Sequence, residues 1–116
     1  MKAAWESVHL AAVQLADSSP VKHRLVVAFS KYLAEVDSSE LPRDVRAEFD
    51  SLRRDLTRVP PLRGETPVMA TVRKMSNEEA GRNAQRIVRL LGALPQEEAA
   101  ARPRNGTVVK FYGADA

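Results

Sequence analysis

Ser76–Leu94, SNEEAGRNAQRIVRLLGAL, carries the marks of a single amphipathic helix. Ser76 followed three residues later by Glu79 is a capping box, in which two orphan amides at a helix start find side-chain partners. Ala80, Ala84, Ile87, Val88, Leu91 and Leu94 then recur three or four apart, and at about 100° per residue they form one apolar stripe. Arg82, Arg86 and Arg89 fall on the far side. A run so patterned predicts a capped helix that packs one face on a core. A chain built around it is expected to be all-α.

Upstream, the same grammar repeats. Residues 2–16 read as a first helix through Trp5, Val8, Ala12 and Leu15. Ser19-Pro20 is a cap followed by a proline whose missing amide costs nothing there. It opens a second helix to about Val36. Val21, Leu25, Phe29, Tyr32 and Val36 make its stripe, and Val26 and Leu33 widen it, which predicts a central position. Val27 projects off that arc, as a contact-surface residue or one lying under a neighbouring segment. A third helix begins near Leu41-Pro42 and runs to about Arg58, with a narrower seam of Leu41, Val45, Phe49, Leu52, Leu56 and Val59. Its other face alternates acids with arginines and reads as solvated.

Two prolines and a glycine make residues 59–66, VPPLRGET, a defined loop. Thr66-Pro67 repeats the cap signal, so a short fourth helix covers 67–74, with Val68, Val72 and Met75 turned inward. Gly81 within the fifth helix costs about 1 kcal/mol relative to alanine. With Ala80 and Ala84 it predicts another helix passing close by. Pro95 stops the pattern. Thr107-Val108-Val109-Lys110-Phe111-Tyr112 has strand composition but no partner strand in the chain. Two parts follow: a compact bundle of four to five helices over residues 1–94, and an extended or disordered C-terminal tail over 95–116.

Bulk properties exclude several classes. The 116 residues suit one domain. Cysteine is absent, which removes disulfide frameworks, thiolate metal sites and cysteine nucleophiles. The start lacks a secretory h-region, and no apolar run approaches the length of a membrane span. A cytoplasmic protein without membrane contact is expected. The net charge of +3 is unevenly spread. Residues 67–96 hold five cations against two carboxylates, whereas residues 1–40 hold four against five.

Catalytic motifs are not found in the sequence. There is no G-x-S-x-G and no glycine-rich loop after a strand. His9 and His23 sit on different helices without metal-ligand spacing, and with Glu6 they make only a nominal metal set, so neither metal nor cofactor is expected. The acids of the third helix each have an arginine within helical reach, which is how a solvated face looks. Ser76-Asn77-Glu78-Glu79-Ala80 after a short helix invites a helix-turn-helix reading. The fifth helix instead continues unbroken to Leu94, leaving no separate recognition helix.

Two surfaces remain as candidates. Val108, Phe111 and Tyr112 of the tail, with Val27 of the second helix, form a protein-binding set, because a short apolar strand can add to the sheet edge of a partner. Arg73, Lys74, Arg82, Arg86 and Arg89 form an anion-binding set, since guanidinium groups suit bidentate contact with phosphate or carboxylate. The expected function is a non-enzymatic protein-interaction module, an adaptor or regulator, with an unidentified protein partner or a second copy of itself. The alternative is a nucleic-acid or polyanion binder working through the arginine face.

Overall fold

The computed structural model describes residues 3–94, and all regular structure among them is helical. Helix α1 spans Ala4–Gln14 and α2 spans Val21–Ala28, running on into a π-helical turn, Phe29–Leu33. A 3₁₀ turn follows at Ser38–Glu40. Helices α3, α4 and α5 span Arg43–Leu56, Pro67–Arg73 and Asn77–Ala93. The expected all-α globule of five helices is present. The tail, with Val108, Phe111 and Tyr112, lies outside the described residues. None of the described helices is long and apolar enough to cross a membrane.

The core is one cluster to which every helix contributes. Val8 and Ala11 of α1, Leu25 and Ala28 of α2, Phe49, Leu52 and Leu56 of α3, Val72 of α4, and Ile87 of α5 are almost completely buried. The seam read for α3 is realised from Leu41 to Leu56, with Val59 half-buried beyond it. Val68, Val72 and Met75 are buried as expected. Helix α2 packs on α1, α4 and α5, while α5 packs on α1, α2 and α3. The centre is therefore shared between α2 and α5 rather than held by α2 alone.

Three local readings are corrected. Ser19 does not cap α2, whose N-cap is Pro20 without a side-chain bond. The Ser19 carbonyl instead accepts from Arg24 Nε at 2.6 Å, and Arg24 Nη1 also reaches the Leu15 carbonyl. The second correction lies at the end of α2, where the Ala34 amide donates to the Phe29 carbonyl across a five-residue step. That wider turn shifts the register, so Leu33 is fully buried and Tyr32 only half. Val27 is half-buried in the same helix.

The third correction concerns α5. Its buried residues are Ala80, Asn83, Ile87 and Leu90, with Leu94 buried at its C-cap, while Val88 is 49% exposed. The inward face is rotated towards Asn83 and Leu90, and Ala84 and Leu91 lie at its half-buried edge. The cap is also half of a box: Ser76 Oγ accepts from the Glu79 amide at 3.0 Å. The Glu79 carboxylate faces Arg58 instead, at 4.0 Å.

Candidate functional site

Basic side chains do much of the work of closing this fold. A helix leaves carbonyls unpaired at its C-terminal end, and cations are favoured there. Arg24 meets the carbonyl of Leu15 just past α1. Arg53 donates to the carbonyls of Leu33 and Val36 at the end of the π turn while its guanidinium stacks 4.9 Å from the Phe49 ring centroid. Arg46 reaches the Leu41 and Ser39 carbonyls, and Lys22 Nζ the Arg73 carbonyl at the end of α4. These cations are committed within the chain.

The five residues of the expected anion site divide. Arg86 is drawn into the α3–α5 seam because α5 is rotated towards Asn83 and Leu90. Its Nη1 lies 2.7 Å from Asp55 Oδ2 and its Nε 3.3 Å from Glu48 Oε2, and it also donates to Asn83 Oδ1 and Ser51 Oγ. Arg73 grips Glu65 with two bonds of 2.7 and 3.1 Å. That grip, with the Leu62 amide, holds the Glu65 carboxyl below its usual pKa and raises that of Arg73. Lys74, Arg82 and Arg89 are exposed and make no ion pair among the described residues.

A shallow cleft between α3 and α5 brings Arg82, Arg86 and Arg89 together with Arg58, which the sequence reading did not single out. Asp55 and Glu79 line the same cleft, so it is mixed in charge. Arg73 and Lys74 do not line it. Alternating acids on α3 were the available signal: a helix face of mixed charge supplies carboxylates to any cationic neighbour.

On its opposite flank α5 meets less. Gly81 and Gly92 have open space where a Cβ would stand, with no atom of a neighbour within 4 Å. The helix expected to pass close to Gly81 is not there among the described residues. Val88 lies between these glycines on the same flank, exposed.

His9 and His23 are both exposed, on α1 and α2, and His9 lies 6.4 Å from the Trp5 ring centroid. No group of three or more His, Asp or Glu side chains among the described residues is placed to hold a metal. The α3–α4 loop went unread as a site. It presents Pro60, Pro61, Leu62 and Arg63 to solvent, and Leu62 is 62% exposed.

With that geometry in hand, comparison with family models, with curated proteins and with solved structures finds no match to this chain.

Proposed function

We propose that the protein is a non-catalytic interaction module that binds another protein through its helical surface, with the C-terminal segment around Val108, Phe111 and Tyr112 as a second contact. The observation that carries this reading is the flank of α5 that the described residues leave uncovered. Gly81 in the helix interior weakens it, Gly92 lies in its last turn, and among the described residues no neighbouring helix makes use of the room either leaves. Exposed Val88 between them supplies apolar area at the same place. A partner helix could approach closely there, and Val27 is a further half-buried apolar position on α2.

The test is a pull-down of the full chain from its native lysate with nuclease present. A stoichiometric protein partner is expected. Val88→Glu should release it, and deletion of residues 102–116 should weaken it. Retention of the partner by both variants would reject the reading.

Polyanion binding is the second reading, favoured by the exposure of Lys74, Arg82 and Arg89. Internal pairing of Arg73 and Arg86 subtracts from it. If it holds, affinity for heparin or nucleic acid falls steeply with salt. Substituting Arg82 and Arg89 by glutamine then lowers the slope. A flat salt response rejects it.

A further inference from the structure

The loop between α3 and α4 spends little of its side-chain surface on the fold. Pro60, Pro61, Leu62 and Arg63 are all exposed. The backbone around them is nonetheless pinned from both sides. The Val59 amide donates to Thr71 Oγ1 at 3.0 Å, and Thr71 itself is fully buried in α4. The Leu62 amide donates to Glu65 Oε1 and the Glu65 amide to the Leu62 carbonyl, each at 3.0 Å. Arg73 holds that same carboxylate from below. Gly64 takes φ +84°, a conformation open to glycine, and turns the chain back to the Thr66 cap of α4.

Two prolines restrict what remains. Each fixes its own φ near −65°, and each drives the residue before it into extended or polyproline II backbone. Val59 and Pro60 each precede a proline, and the chain bends at Val59 as it enters the pair. The result is a short, stiff, outward-facing Pro-Pro-Leu ridge followed by a cation with no ion pair among the described residues. Polyproline ridges are recognised by grooves walled with aromatic rings, which need no backbone amides from the ligand. Holding the loop in the bound shape beforehand removes part of the ordering cost of association.

We propose that Pro60–Arg63 is a docking ligand for a partner domain whose groove is walled by aromatic side chains and edged by a carboxylate that meets Arg63. The proposal rests on the interaction-module reading and names the class of partner. The described residues of a second copy offer no such groove. Of the described aromatic residues, Phe29 and Phe49 are buried and Trp5 and Tyr32 half-buried within the core, so no exposed aromatic wall is offered.

The experiment titrates the full chain against a panel of isolated SH3 and WW domains. At least one domain is expected to bind. Pro61→Ala and Arg63→Glu should each weaken that binding about tenfold, the loss of one well-placed contact. Both positions are exposed, and circular dichroism of the two variants checks that the helices are retained. Absence of binding across the panel, or binding indifferent to both substitutions, overturns the proposal. The lysate pull-down separates the two claims. If a partner released by Val88→Glu is captured while no panel domain binds, the loop proposal falls and the interaction module stands. If neither is seen, both fall.

Discussion

Arg86 Nη1 stands 2.7 Å from Asp55 Oδ2, so a side chain expected to face an external anion closes the seam between α5 and α3. Glu48 lies on the other side of the same guanidinium, which is only 21% exposed.

Arg86→Ala should therefore destabilise the fold, whereas Arg82→Ala and Arg89→Ala should not. Hydrogen bonds to charged groups contribute about 1.5–3 kcal/mol each when well shielded. Glu48 and Asp55 are 55% and 52% exposed, so screening reduces the sum. A loss of about 1 kcal/mol is expected for Arg86→Ala, and within about 0.5 kcal/mol for the other two. Urea denaturation of the three variants decides it. Equal stability for all three would show that the seam does not depend on Arg86.

Thr71 is the buried anchor of the α3–α4 loop. Its hydroxyl donates to the Pro67 carbonyl at 2.8 Å and accepts from the Val59 amide. Thr71→Val keeps the shape and removes the acceptor, leaving a half-buried amide unpaired. The cost should be about 1–3 kcal/mol. Faster hydrogen exchange at Val59 is the specific readout. Unchanged protection there would contradict the anchoring role.

Protonation of Glu65 should loosen the same loop. Arg73 first, and the Leu62 amide second, lower its pKa from the usual 4.5. A carboxyl depressed in the folded state adds stability above its unfolded pKa and loses it as pH falls through the folded value. The contribution is thus intact at neutral pH and fades as acid is added below about pH 4.5, the range of a free glutamate. The Leu62 amide resonance should report that titration, and Glu65→Gln should abolish it. A Leu62 shift that persists in Glu65→Gln would assign the titration elsewhere.

Gly81→Ala should raise stability. Among the described residues nothing stands within 4 Å of the added Cβ, and the position is well inside α5. Helix propensity favours alanine by about 0.8–1.0 kcal/mol. Thermal melting tests the gain. If the uncovered flank of α5 receives a partner, the same variant binds that partner less well, separating stability from function. A destabilised variant would mean that the flank is more crowded than its geometry indicates.

Much of the architecture was legible in one dimension. Caps at Thr66 and Ser76, prolines at helix starts and the seam from Leu41 to Leu56 are local signals, and each acts within a few residues of itself. The face of α5 was harder to read. Its apolar residues occupy a broad arc, and either edge of such an arc can be buried. Leu90 won over Val88 because α3 closes on that side. The π turn after α2 was hidden for a similar reason, since no residue type announces it and it shifts the register only where the core demands.

By itself, the chain's order of residues determined that four to five helices form, about where each starts, and that the third buries a narrow edge. Those outcomes depend on hydrogen bonds and periodicities spanning three or four residues. Only the tertiary structure decided which cations are available. Arg86 and Asp55 are 31 residues apart in sequence, and Arg53 caps carbonyls 17 and 20 residues away. Charge is written into the sequence, but its partners are assigned by packing. The uncovered flank around Val88 and the pinned Pro-Pro-Leu ridge emerge the same way, as what remains exposed once the helices have chosen their neighbours.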